Sequence, residues 1–360
     1  MKVYFIGGSY DSCYYVRCLV PMLANLWDGD RTSMHKKKSD PVYMMQGAMD
    51  ADVIVYHRPV TDDAYESAIL LQQAGKKIVM DNDDTYRKDS GVPIQMLSRL
   101  KDTLSEKLNE MDTKLNRFAK MADMVTVSTE FLSEEYLPYN KNVVVIPNFI
   151  DKRDWFKPRK NTTDKVRIGI VGSVASNKDY EPIIPLLDKL KEREDIQLVL
   201  FALPEKSKYT QLAVELYSPE FEFWNKYNPE WHHFCPMSEY MYNLNDLRLD
   251  IMLIPRYDSY FNRAKSNLKF LEASMCKVPV VAQSFSDGLS PYQTSKQDDK
   301  YLLLANTKDE WIEQTEKLID SKELRDKMGD MAFDYVIENY SITNNKDLWE
   351  KAYSTLWNEL

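Results

Sequence analysis

The sequence predicts two doubly wound α/β domains in tandem, each built on a parallel sheet. Three observations predict this. Short, continuous β-branched runs recur along the chain, as in strands covered on both faces. Stretches of helical length separate them, the alternation that builds a parallel sheet. The series also breaks at a polar segment near the middle and then begins again.

In the first half the runs are Val3-Tyr4-Phe5-Ile6, Val53-Ile54-Val55-Tyr56, Lys77-Ile78-Val79-Met80, Met124-Val125-Thr126-Val127 and Val143-Val144-Val145-Ile146. Residues 61–74 and 95–122 read as helices between them. Residues 151–165 (DKRDWFKPRKNTTDK) are polar, lack apolar periodicity and read as a linker. The second series has strands at 166–171, 196–201, 251–254 and 278–282, and a helix at about 180–193. A helical tail over 308–360 is rich in Trp and Tyr. The expected domains are therefore 1–150 and 166–335, with residues 336–360 as a final helix. Ligands of such sheets bind beyond the carboxyl ends of the strands, and the polar clusters of this chain fall there.

Composition narrows the function. With 360 residues there is enough chain for two cores, and 44% hydrophobic with 29% charged residues is an ordinary globular mix. No run approaches the roughly 20 apolar residues that span a bilayer. MKVYFIGGSYDS reads as a first strand rather than a secretion signal, so a cytoplasmic location is expected. Cys13, Cys18, Cys235 and Cys276 show no metal spacing and fit reduced thiols. A net charge of -9 argues against strong non-specific binding to nucleic acid. The dense basic run Lys36-Lys37-Lys38, after Arg31 and His35, reads as a solvated loop, or else as an acceptor-binding or membrane-surface patch.

The most informative segment runs from Asp258 through Glu272. Ser266 is placed as the N-cap of a helix carrying Leu268, Phe270 and Leu271. The helix start would offer free N–H groups and a positive dipole end to a phosphate, with Lys265 adding a full charge. Glu272 lies two turns on, about 10 Å away at roughly 1.5 Å per residue. A cation for a diphosphate and a carboxylate for ribose hydroxyls fit that separation, and so does a surface helix with ordinary charges. Gly7-Gly8 after the first strand permits close backbone approach. Asp81, Asp83 and Asp84 would repel one another unless cations sit among them. They read as a helix cap and turn, as a hydroxyl-binding or basic site, or as ligands of a divalent metal. His57-Arg58 ends another strand and is a similar candidate. His232-His233, with no third ligand nearby, reads as structural.

FNRAKSNLKFLEASMCKVPVVA resembles the donor-binding block of the GT-B glycosyltransferases of the family-4 type: lysine, serine, helix, glutamate, then G-(I/V)-P-V-V-A. VRIGIVGSVASNKDY resembles the glycine-loop opening of their C-terminal domain. YYVRCLVPML, VIVYHRP, GKKIVMDNDDTY and ADMVTVSTEFL…VVVIPNFID resemble their acceptor-domain segments, in the same order. The resemblance implies a GT-B fold whose last helix crosses back to the N-terminal domain. It implies a compact bacterial or phage-type enzyme that moves a hexosyl or pentosyl group, with retention, from a UDP- or GDP-sugar to a hydroxyl. No cofactor and no bound metal are implied.

Carried over by position, Glu272 matches the second glutamate of the family's E-x7-E motif. The first falls at Ala264, so contact with the donor sugar passes to backbone groups or to Asn262. Lys265 and Lys178 match the diphosphate cations. Gly172, Ser173, Arg263, Ser266, Asn267 and Leu268 fall in the donor-binding blocks. Gly7, Gly8, His57, Arg58, Asp81, Asp83 and Asp84 border the cleft, with His57 and Asp83 in catalytic positions. A glycan, a lipid-linked glycan or a hydroxymethylated pyrimidine in phage DNA are the implied acceptors. A degenerate protein that binds nucleotide sugars without turnover is the alternative raised by Ala264, and a GT-B-like epimerase is another.

Overall fold

The computed structural model describes residues 1–7, 11–29, 41–87, 89–91, 101–172, 177–203, 221–293 and 298–357. Gly8, Ser173, the run from Arg31 to Lys38 and the start of the helix expected from residue 95 lie outside them.

Two six-stranded sheets form, and every strand pair is parallel. The first contains β1 (Val3–Gly7), β2 (Asp28–Gly29), β3 (Val53–His57), β4 (Lys77–Asn82), β5 (Met124–Val127) and β6 (Val143–Val145), in the order β2-β1-β3-β4-β5-β6. The second contains β7 (Val166–Val171), β8 (Ile196–Leu203), β9 (Glu230–His233), β10 (Ile251–Ile254), β11 (Val280–Gln283) and β12 (Leu303–Ala305), in the order β12-β11-β10-β7-β8-β9. The pattern of β-branched runs dictates this. Val3, Phe5, Val53 and Val55 face one core, whereas Tyr4, Ile54 and Tyr56 face another. Ile168, Ile170, Leu198 and Leu200 cover one face of the second sheet, and Val171, Val199 and Phe201 the other.

Three strands escape the sequence pattern. β2 has two residues and β12 three, too short to show periodicity. β9 is polar (Glu-Trp-His-His) and borders the sheet, so His232 and His233 are strand residues rather than part of a connecting loop. The strand expected at 278–282 begins two residues later, because Val278 still belongs to the turn that ends the preceding helix.

The helix expected at 61–74 spans Asp62–Gln73, with the Thr61 hydroxyl accepting from the Ala64 N–H at its start. The one expected at about 180–193 is broken into Asn177–Tyr180, a 3-10 turn at Glu181–Ile183 and Ile184–Leu190, with Pro182 and Pro185 setting the breaks. The tail forms Lys308–Asp320, opened by a capping box of Thr307 and Glu310, then Lys322–Tyr340 and shorter helices to Trp357. Ile150 hydrogen-bonds to both Tyr340 and Ile342. Beyond that point Trp349 packs on Phe149 and Tyr353 on Trp27, so the helix Asp347–Ser354 lies against the first domain.

Strand order reverses between β1 and β3 in the first sheet and between β7 and β10 in the second. Such switch points open a crevice at the carboxyl ends of the strands, because the flanking connections leave to opposite faces. Gly7, His57-Arg58, Gly172 and the segment after Ile254 all stand at these ends.

Candidate active site

The segment after β10 builds one wall. The Ser259 hydroxyl caps a short helix, Tyr260–Ala264, by accepting from the Asn262 N–H. Lys265 breaks that helix with an extended conformation, and a second helix runs Leu268–Met275. Asn267, not Ser266, is its N-cap residue, and no side chain caps it. Ser266 is displaced from that task because its hydroxyl accepts from Asn148 Nδ2 of the first domain, at 2.8 Å.

The loop is docked on the N-terminal domain. Phe261 N–H donates to the Ser90 carbonyl at 2.7 Å, and the Thr129 hydroxyl donates to the Ala264 carbonyl at 3.1 Å. The Tyr260 ring packs edge-on to Phe131 and beneath the Arg87 guanidinium. Ala264 is 0% exposed and joins the core of the first sheet. A glutamate in this surrounding would bury a charge among apolar groups.

Lys265 reaches across to that domain. Its Nζ lies 2.8 and 2.9 Å from the two carboxylate oxygens of Asp84, and 4.2 Å from the centre of the Phe261 ring. Lys265 is 30% and Asp84 15% exposed in their side chains, so the pair is open to the crevice.

In the acidic cluster each of the three carboxylates has a cation, with Arg58 shared between Asp83 and Asp84. Asp81 receives both Nε and Nη2 of Arg17, at 3.1 and 2.6 Å, and the Thr126 hydroxyl at 2.7 Å. Arg17 is only 1% exposed, lies in a π-helical segment (Tyr15–Leu19), and also donates to Ile146 O and Asn148 Oδ1. Asp83 receives Arg58 Nε at 2.8 Å and lies 3.3 Å from His57 Nε2. Burial alone would raise the Asp83 carboxyl, but Arg58 and His57 hold it well below the usual carboxylate range. Asp84 has Lys265 and, at 3.4 Å, Arg58 Nη2. Arg58 adopts φ +50, an uncommon conformation for a non-glycine residue, which aims its guanidinium at both aspartates and at Cys13 Sγ. The helix-cap reading of this cluster is corrected: β4 is followed by loop, not by a helix, through Arg87. No group of three potential metal ligands occurs among the described residues.

The remaining candidates are distributed around this centre. Glu272 is buried and its Oε2 accepts from Tyr240 Oη and Lys269 Nζ, both at 2.8 Å. Asn262 points inward, with Nδ2 donating to Asp179 Oδ1 at 2.7 Å and to the Tyr257 carbonyl at 2.9 Å. Arg263 is engaged by Asp258 and Asp287. Asn267 is buried and Leu268 packs partly into the core. Lys178 is exposed, with its ammonium 5.5 Å from the Tyr257 ring. Among the described residues a Cβ on Gly172 would meet nothing within 4 Å, whereas one on Gly7 would strike the Tyr14 ring at 2.2 Å. Gly7, at the end of β1, therefore makes room for the ring of Tyr14 from the helix that follows, Ser12–Tyr14.

Sequence reasoning missed Arg17, Asp179, Tyr240 and Glu135. A lone arginine inside the apolar run YYVRCLVPML was the one available signal. Asp179 organises the loop by accepting from Tyr257 N–H, Asn262 Nδ2 and Arg256 Nη1. Glu135, 8% exposed, has both carboxyl oxygens shielded without a hydrogen bond of normal geometry. Burial pushes its pKa up to about 7, against weaker opposition from the nearby Thr85 and Tyr260 hydroxyls. A separate cavity at the amino ends of β10 and β11 collects Arg159, Lys160, Lys277, Lys322 and Arg325, each already paired with a carboxylate.

Two parallel-sheet domains facing each other across their switch points, with charged side chains between them, have the architecture of a GT-B glycosyltransferase. Residues 151–334 match the family described as Glycosyl transferases group 1, and the chain belongs to that family. No curated protein matches the sequence. Among solved structures, the chain is similar to sucrose-phosphate synthase from Thermosynechococcus elongatus, at 13% identity and TM-score 0.66, with 100% of each chain covered. It is similar to Anabaena HepE solved with UDP-glucose, at 13% identity and TM-score 0.63, covering 99% of this chain and 100% of that one. A glycosyltransferase from Rickettsia africae matches at 13% identity and TM-score 0.61 over 99% and 98%. Among the described residues no helix is long and apolar enough to cross a membrane.

Proposed function

We propose that this glycosyltransferase moves a sugar, with retention of configuration and without a bound metal, from a nucleoside diphosphate to a hydroxyl acceptor. The observation that carries the proposal is the position of Lys265. It stands between β10 and the start of the Leu268–Met275 helix, with its ammonium in the crevice. As the sugar–phosphate bond breaks, negative charge grows on the leaving diphosphate. Lys265 and the helix start stabilise that growing charge, so they lower the barrier rather than only binding substrate. Lys178 lies on the neighbouring lip and adds a second cation. Glu272, whose Oε2 is occupied, offers Oε1 to a ribose hydroxyl, held in place by Tyr240 and Lys269. Asp83 and His57, paired at the end of β3 and β4, face the reacting sugar and the acceptor.

A uridine nucleotide is the first donor class to test, because HepE, similar in fold, was solved with UDP and with UDP-glucose. A glycan or lipid-linked glycan is the favoured acceptor, since the net charge of -9 disfavours DNA.

The test is a thermal-shift screen of UDP-, GDP- and ADP-sugars followed by turnover of Lys265→Ala. A ligand of the native state raises its apparent stability. Loss of one oxyanion-type contact costs about 100- to 1,000-fold in kcat. Unchanged turnover in Lys265→Ala would remove the mechanism. Binding without turnover over a broad acceptor set would favour a degenerate binding protein instead.

A further inference from the structure

We propose that Asp84 is an internal competitor for the donor's phosphate: it occupies Lys265 until a diphosphate displaces it, and the freed carboxylate then receives the acceptor's hydroxyl. This rests on the donor reading above and extends it to the order in which substrates bind.

Three features of the cluster single out Asp84. Asp81 is sealed in the core and bound by Arg17 on two atoms. Asp83 is buried and held by Arg58 and His57. Asp84 is the most exposed of the three, and its main partner belongs to the other domain. It contacts Lys265 through both oxygens, as a phosphate would, and its other cation, Arg58, stands off at 3.4 Å.

The consequences are electrostatic. A lysine ammonium has three donors, and Asp84 draws on them at 2.8 and 2.9 Å. An incoming diphosphate carries more negative charge than one carboxylate and also gains the N–H groups of the adjoining helix start, so it can win that ammonium. Asp84 would then keep only Arg58, shared with Asp83. A carboxylate so relieved has lone pairs to accept from a neutral hydroxyl. Between Asp83, Asp84 and a diphosphate, an acceptor with its own anionic group beside the reactive hydroxyl would be repelled. The site therefore selects a neutral hydroxyl, and selects it after the donor.

The sign of one measurement tests this. UDP binding is measured by calorimetry on the full chain for wild type, Asp84→Asn, Lys265→Met and the double variant. Asp84→Asn keeps the shape of the side chain and removes the competing charge. UDP affinity should rise roughly two- to fivefold, the size expected for one partly exposed ion pair. The gain should vanish in the Lys265→Met background, because it acts through that ammonium. With an acceptor found by turnover, Asp84→Asn should raise the acceptor KM and remove the requirement that donor bind first. UDP affinity in Asp84→Asn that is unchanged or weaker overturns the competition, and so does a gain that survives Lys265→Met. If none of the proteins binds UDP, GDP or ADP, the donor reading itself fails and this inference falls with it.

Discussion

Glu135 offers the sharpest physical test of the interdomain seam. It sits in the Glu130–Tyr136 helix, next to Thr85 of the same domain and Tyr260 of the loop that carries Lys265. Folding moves its carboxyl from an ordinary 4.5 to about 7, chiefly by removing it from water. The native state therefore holds a proton there that the unfolded chain gives up. Stability from this group is fully present below pH 4.5 and is lost as pH rises through about 7. At about 1.4 kcal/mol per pKa unit the loss reaches about 3 kcal/mol, levelling off above that pH. Glu135→Gln keeps the shape and cannot ionise. Urea denaturation at pH 5 and pH 8 should show the variant within about 1 kcal/mol of wild type at the lower pH. At the higher pH it should be more stable by about 3 kcal/mol. Two stability curves that run parallel from pH 5 to 8 would refute the reasoning, because the carboxyl would then be as ionised in the fold as outside it.

Two further predictions concern packing. Arg17→Met leaves Asp81 buried beside only the Thr126 hydroxyl, and should cost about 3–5 kcal/mol in urea denaturation. Adding Asp81→Leu should recover much of that loss, which a simple packing defect would not allow. Gly329 lies inside the Lys322–Tyr340 helix, where a Cβ would fall 2.2 Å from the Lys277 carbonyl oxygen. Gly329→Ala must push the helix off that backbone. It should lower stability by about 1–3 kcal/mol even though alanine is the better helix former.

Lys277, which Gly329 approaches, also marks a departure from the family's pattern. Lys277 stands where the resembling motif has glycine, and it takes φ +57 to turn the chain from the Leu268–Met275 helix into β11. The backbone conformation the motif requires is kept by a residue that adopts it at some cost.

The sequence by itself determined the strand series, the parallel sheets and their division into two halves. Burial on both faces of a strand forces continuous apolar runs, and such runs are local. It also marked Lys265, Glu272, His57-Arg58 and the aspartates, since polar clusters closing apolar strands stand out in one dimension. Only the tertiary structure decided what those groups touch. Asp84 and Lys265 are 181 residues apart and meet because two sheets face each other. Ser266 yields its expected cap position to Asn267 while its hydroxyl is held by Asn148, and Asn262 turns inward to Asp179. Arg17 interrupts an apolar run, and only the fold sets Asp81, 64 residues away, against it. Local pattern fixes secondary structure through backbone geometry and solvent exclusion. Which charge answers which is settled by through-space distance, and no spacing in the chain encodes it.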